Sequence, residues 1–213
     1  MIEWYRRIMP DYAHIPLSLC LVTDMIAYLL PRILNVAATN DFSIALDQKI
    51  PLMPFTAYIY VAAFAYWAIN YTIVAHQGRR MVYRLFWADA IGKAVCLVCF
   101  LAIPSYIVQP LKEEITGPGA WLLKLVYMFD EPNNLLPSIH CFVSWLCFRP
   151  LVDKSVTGIS NPYKVFSFVF TMLICISTLT TKQHVFVDTF TGIFLAEAGW
   201  ILSKPIANRI QES

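Results

Sequence analysis

Charge is what this chain has least of. Asp, Glu, Lys and Arg make up only 14% of its 213 residues, against 58% hydrophobic residues and a mean hydropathy of +0.58. No single soluble core hides that much apolar surface, so the composition excludes a soluble globular domain and implies an integral membrane protein. Glycine is scarce, at seven residues, and no Gly/Ser linker, internal repeat or low-complexity tract interrupts the sequence. A chain of tethered modules is therefore disfavoured, and residues 1–213 read as one helical domain. The net charge of +2 includes no basic cluster clear of the membrane flanks, so nucleic acid is not an expected partner. The six cysteines all fall inside apolar runs and read as small buried hydrophobes rather than a disulfide framework. Cys96 and Cys99 have CxxC spacing, but they lie in the middle of such a run.

What the sequence does have is long apolar runs. Six of them are candidates to cross a bilayer, near 15–34, 52–75, 85–108, 138–152, 163–181 and 184–203. The fourth is short and carries Arg149 at its end. The first follows Arg6 and Arg7 and is trailed by Val36-Ala37-Ala38, which resembles a signal-peptide cleavage site; Asp24 inside it and its length argue against removal. The expected fold is thus all-α, a bundle of six transmembrane helices.

Lysine and arginine on alternate connections set the expected orientation. Arg6, Arg7, Arg79, Arg80, Arg84, Arg149, Lys154, Lys164, Lys204 and Arg209 fall on one side, and Arg32, Lys49, Lys112, Lys124 and Lys182 on the other, ten against five. Both termini are then expected in the cytoplasm. Residues 1–14, with Trp4 and Tyr5 beside Arg6 and Arg7, suit a segment lying at the headgroup level. The longest polar interruption, residues 105–137, would be extracytoplasmic. Within it Trp121, Leu122, Leu125, Val126 and Phe129 recur at helical spacing after a "GPG" breaker, which predicts a short interfacial helix. A loop of that length inside a compact bundle is usually functional.

Two stretches bring chemistry to that outer side. "NNLLPSIH" places Ser138 at a helix start and His140 in its first turn, where free backbone N–H groups and the helix dipole favour an anion. "TTKQHVFVD" places His184 and Asp188 one helical turn apart, next to Lys182. Taken singly these have bland readings: a satisfied interfacial histidine, an i,i+4 pair worth a few tenths of a kcal/mol, a snorkelling lysine. Taken together they suit nucleophilic catalysis at phosphorus. Asp188 would fix the His184 tautomer and leave the other ring nitrogen to attack. His140 would protonate the leaving alkoxide, while Ser138, Lys182 and helix-start amides neutralise the phosphoryl oxygens.

"LLPSIH", followed some forty residues later by "STLTTKQHVFVD", resembles the second and third signatures of the type 2 phosphatidic acid phosphatase superfamily, six-helix lipid phosphatases and phosphotransferases. "DEPNNLLPSIH" is most similar to the branch that includes the inositol-phosphorylceramide synthases. The resemblance covers mainly residues 104–192. It implies His184 as nucleophile, Asp188 as its orienting partner, His140 as general acid and Ser138 as a phosphate ligand, with no metal cofactor and an extracytoplasmic catalytic face. Gln109, Asn134, Ser177 and Thr178 are the neighbouring positions expected near substrate. Two family arginines are replaced, one by Gln109 before Pro110 and one by Thr178 after Ser177, so two bidentate guanidinium grips on phosphate are missing. Lys182 is the expected replacement for one and Lys112 for the other. Fewer fixed cations suit a singly charged phosphodiester better than a nearly doubly charged monoester.

The leading expectation is therefore a metal-independent membrane lipid phosphate phosphatase working through a phosphohistidine. A headgroup phosphotransferase with an alcohol or polyol acceptor shares the same chemistry. From other classes come a proton or cation transporter using His140, His184, Asp188 and Glu197, and a lipid-binding pseudo-enzyme. Asp89 and Lys93, at i,i+4, are expected to pair; Asp24 and Glu197 have no evident partner in the sequence.

Overall fold

Prolines and glycines between the apolar runs set several of the helix limits. The structure, a computed structural model, describes residues 9–211. After Pro10 comes α1 (Asp11–Ile33); a short α2 (Ala45–Lys49) lies in the first connection. A 3₁₀ turn at Pro54–Thr56 leads into α3 (Ala57–Ala75), and Gly78, at φ 94°, turns the chain into α4 (Arg79–Ala102). The long loop contains α5 (Ala120–Phe129). It is followed by α6 (Ile139–Phe148), which runs on into a 3₁₀ turn at Arg149–Val152, then α7 (Asn161–Thr180) and α8 (Phe186–Gln211). Two two-residue strands, β1 (Asn40–Asp41) and β2 (Ser105–Tyr106), pair in parallel with Asn40 opposite Ser105.

Among the described residues, five helices are long and apolar enough to cross a membrane: Asp11–Ile33, Pro54–Ala75, Arg79–Ala102, Asn161–Thr180 and Phe186–Arg209. The stretch expected as a sixth span is a shorter apolar helix, Ile139–Val152. At 1.5 Å per residue it reaches roughly 21 Å, short of the ~30 Å hydrocarbon layer. Pro137 before it and Pro150 within its last turn account for its length. What it lacks in length it makes up in position, because α6 packs against α3, α4, α7 and α8.

The other boundaries differ modestly from expectation. The third run occupies 79–102 rather than 85–108, because Pro104 ends the helix and residues 103–108 pass into the loop and β2. Of the expected surface segment 1–14, residues 1–8 lie outside the described residues, and Asp11 to His14 form the first turn of α1. The helix anticipated after "GPG" is α5, with Leu122 and Val126 buried and Trp121 and Phe129 outward.

Large apolar side chains such as Ile15 and Leu21 on α1, Val165 and Phe166 on α7, and Phe190 and Phe194 on α8 face outward, an arrangement that lipid tolerates and water does not. Charges inside the bundle are paired. Lys93 lies 3.0 Å from Asp89 and 3.2 Å from Asp24, so the acid on α1 finds its partner on α4. Glu197 on α8 meets Arg149 at 2.9 Å and accepts from Trp145 at 2.9 Å.

Two close approaches align the starts of α6 and α8. The Ser138 amide donates to the Asp188 carbonyl at 3.0 Å. Gly192 faces Ser138 so closely that a Cβ there would sit 2.5 Å from the Ser138 carbonyl oxygen. Glycine at 192 is what lets the two helices touch, and both helices therefore begin at the same place.

Candidate active site

The turn that carries His184 is built by the end of α7. Lys182 adopts a left-handed conformation (φ 54°), its amide donates to Leu179, and the Gln183 amide reaches back to the Thr178 carbonyl at 3.0 Å. That is the Schellman closure of a helix, with lysine where glycine is usual. The His184 amide shares the Thr178 carbonyl at 3.1 Å. Three neighbours clamp this turn. The Lys182 ammonium donates to the carbonyls of Asp47 (2.9 Å) and Ile50 (2.6 Å). The Asp47 carboxylate accepts from the Phe186 amide at 2.7 Å, capping α8. Tyr127 on α5 donates to the Thr181 carbonyl at 2.6 Å.

His184 leaves this turn with Nδ1 3.4 Å from Oδ2 of Asp188, longer than the usual ~2.7–3.2 Å. The same oxygen accepts the Val185 amide at 3.0 Å, which fixes the carboxylate, while its other oxygen is buried with no partner. Burial alone would lower the pKa of His184. The hydrogen bond and charge of Asp188 outweigh it and raise the imidazole above the ordinary histidine value.

Across from it, Ser138 caps α6 by accepting the Cys141 amide at 3.3 Å, and the Ser138 carbonyl takes the Phe142 amide. By helix geometry the Ile139 and His140 amides then head the helix without an intrahelical acceptor. The His140 ring stacks on Tyr60 (centroids 4.1 Å apart, 14° between planes) and meets the edges of Phe64 and Trp67. Its Nε2 is buried and unpartnered. Tyr60 in turn donates to Asp130 at 2.7 Å, as Tyr28 does at 2.6 Å.

His140 and His184 line one cavity of about 370 Å³. Its walls are largely apolar, with Val61, Phe64, Trp67, Leu122, Leu125 and Phe129, and its polar lining includes both histidines, Gln183, Asn134, Asp24, Asp130 and Glu131. His184 also borders a second, more open cleft of about 630 Å³, lined by Lys182, Gln109, Asp47 and Glu114.

The remaining expected positions separate into four groups. Asn134, in a left-handed conformation (φ 58°), joins the histidine cavity. Gln109 and Lys182 face the second cleft, and Lys182 spends its ammonium on backbone carbonyls. Lys112 is exposed on the loop and lines neither space. The hydroxyls of Ser177 and Thr178 bond back to Ile174 and Cys175 on their own helix, at 2.7 and 2.8 Å. They hold α7 rather than face the cavity.

Four residues that complete the site were not singled out in the sequence: Gln183, Asp47, Tyr60 and Tyr127. Gln183 carried a signal, being a polar residue directly between Lys182 and His184. Asp47, 137 positions before His184 and in a different connection, carried none.

Compared with family models, curated proteins and solved structures, the chain matches none of them.

Proposed function

We propose that this chain is a membrane-embedded enzyme that cleaves a phosphate ester of a lipid through a phosphohistidine on His184. The observation that carries the reading is the single apolar-walled cavity shared by His140 and by a His184 whose Nδ1 is held by Asp188. The apolar walls suit a lipid tail, and the histidine end suits its headgroup.

In the first step His184 Nε2 bonds to phosphorus, the phosphorus–oxygen bond to the leaving group breaks, and His140 delivers the proton to the departing alkoxide. In the second step water attacks the phosphorus, gives a proton to His140, and the nitrogen–phosphorus bond breaks. The free amides that begin α6, with the positive end of its dipole, face the charge that builds on phosphorus. The five apolar helices support residence in a bilayer. We place the short α6 as a sixth, central segment, α5 at the membrane interface, both termini in the cytoplasm and the histidines on the outer side, following the lysine and arginine asymmetry.

A phosphotransferase is the second reading, favoured by the cleft that reaches His184 from the α2 side and gives an acceptor alcohol its own access. The polar path that a transporter needs has less support, since Glu197, one of its four expected residues, is engaged in an ion pair with Arg149.

The test is a panel of lipid phosphates incubated with the detergent-solubilised protein in chelator. Wild type should release product and His184→Ala should lose at least about 10³-fold. An acid-labile, base-stable phosphoryl adduct should appear on wild type alone. Equal turnover by His184→Ala would refute the nucleophile, and product analysis with added alcohol separates transfer from hydrolysis.

A further inference from the structure

Gln183 stands beside His184 on the cavity wall and is almost wholly buried, 2% exposed. Its Oε1 accepts from Gln109 Nε2 at 3.2 Å, while its own Nε2 has no partner. A buried amide nitrogen left unsatisfied costs about 1–3 kcal/mol. The Gln109 contact engages the oxygen end of the amide and leaves its N–H₂ as the unpaired end, on a residue that lines the same cavity as His184.

The charge around the cavity gives this donor its meaning. Among the described residues lining it there is no lysine or arginine, whereas Asp24, Asp130 and Glu131 all contribute. Their partners do not balance them: among the described residues Lys93 serves both Asp24 and Asp89, and Arg32 alone faces Asp130 at 3.5 Å and Glu131 at 4.0 Å. Four acids meet two cations. A phosphate entering here finds neutral donors and an excess of negative charge. Repulsion scales with the charge it brings, so a dianion is penalised about twice as much as a monoanion.

Resting on the reading of His184 as nucleophile, we propose that Gln183, aimed by Gln109, donates to a non-bridging oxygen of the attacked phosphorus and that this neutral donor selects singly charged phosphodiesters over phosphomonoesters. When His184 Nε2 bonds to the phosphorus of a diester, one ester oxygen leaves with the proton from His140. The other ester stays, so the phosphoryl group on His184 keeps a single negative charge. An amide gives that anion a hydrogen bond without a fixed cation; a guanidinium would add one positive charge, from which a dianion gains more than a monoanion.

The experiment uses the full chain in detergent with two lipids of identical tails, phosphatidate as monoester and phosphatidylglycerol as diester. Wild type should favour the diester. Gln183→Met, near in volume but unable to donate, should lower diester turnover on the order of a hundredfold. The double variant Gln109→Met with Gln183→Met should do the same while melting at or above the wild-type temperature, because no amide is left stranded. Gln183→Arg should move the preference toward phosphatidate. Unchanged diester turnover in Gln183→Met, or the same diester-to-monoester ratio in all variants, overturns the proposal while leaving His184 chemistry standing. Binding supplies a readout independent of turnover: dimethyl phosphate should raise the melting temperature of His184→Ala more than inorganic phosphate does, and adding Gln183→Met should abolish the difference. If His184→Ala turns over both lipids like wild type, the underlying reading fails, and the binding difference then decides Gln183 by itself.

Discussion

The two ends of α6 handle polar groups in opposite ways. At its C-terminal end Arg84 meets Asp153 at 2.6 Å, Arg149 meets Glu197 at 2.9 Å, and the Arg84 guanidinium lies 3.9 Å from the Trp200 ring centre. Charges there are matched one to one. Arg84 Nε and Trp200 Nε1 lack partners, but neither lines the cavities described above. At the N-terminal end His140, Gln183 and Asp188 each keep a buried atom unpaired, and the two former residues border open space. Matched charge ties helices together; unmatched donors beside a cavity await a partner that the chain itself does not supply.

The largest effect should come from Asp188, proposed to orient the His184 nucleophile. Asp188→Asn keeps the shape but removes the charge that holds the His184 tautomer, so turnover should fall roughly 10⁴-fold. Its pH profile sharpens the test. Asp188 raises the His184 pKa, and the attacking imidazole must be neutral, so wild-type activity climbs with pH through a value above that of an ordinary histidine. In Asp188→Asn that acidic limb should move to lower pH, since burial alone depresses the pKa. A limb that stays in place assigns the titration to another group.

Gly192→Ala comes next. A methyl group 2.5 Å from the Ser138 carbonyl forces α6 and α8 apart at the point that brings His140 to His184. A displacement of about 1 Å in such a pair costs on the order of a hundredfold in rate. Stability should drop by about 1–3 kcal/mol. Full activity in this variant would mean the two histidines need not be held by this contact.

Arg84→Met breaks the matched end instead. Loss of a charged hydrogen bond should cost about 2 kcal/mol in thermal unfolding, with activity per folded molecule unaltered. Burial alone would raise the Asp153 pKa, but Ser155 and Arg84 hold it down at about 2. A carboxyl whose pKa is depressed by folding adds stability above its ordinary value and loses it as pH falls toward the folded one. The gap between wild type and Arg84→Met should therefore narrow as pH drops below about 4.

These two ends also mark how far the sequence could be read. The apolar runs and the His184–Asp188 spacing are local patterns, and local periodicity is what primary structure displays most directly. Pairing of Asp89 with Lys93 was legible for the same reason, being i,i+4. Asp24 and Glu197 found partners on other elements, and Asp47 caps α8 from the distant α2. Contacts of that kind depend on how helices stack, which no spacing encodes. The short α6 was visible as a short run; that it would sit at the centre of the bundle was not.

Lys182 is where the two kinds of reading part, and it gives the smallest and most discriminating prediction. Its place beside His184 suggested a phosphate ligand, yet its ammonium is held by the carbonyls of Asp47 and Ile50 and faces the other cleft. Lys182→Gly removes that tether but relieves a left-handed lysine worth about 1 kcal/mol. The two changes offset, so the melting temperature should move little and turnover should fall less than about tenfold, near 1.4 kcal/mol. A cation gripping the transferred phosphoryl group would cost a hundredfold or more on removal. A loss of that size would return Lys182 to the phosphate and require its side chain to swing from the α2 carbonyls to the histidine cavity when substrate binds.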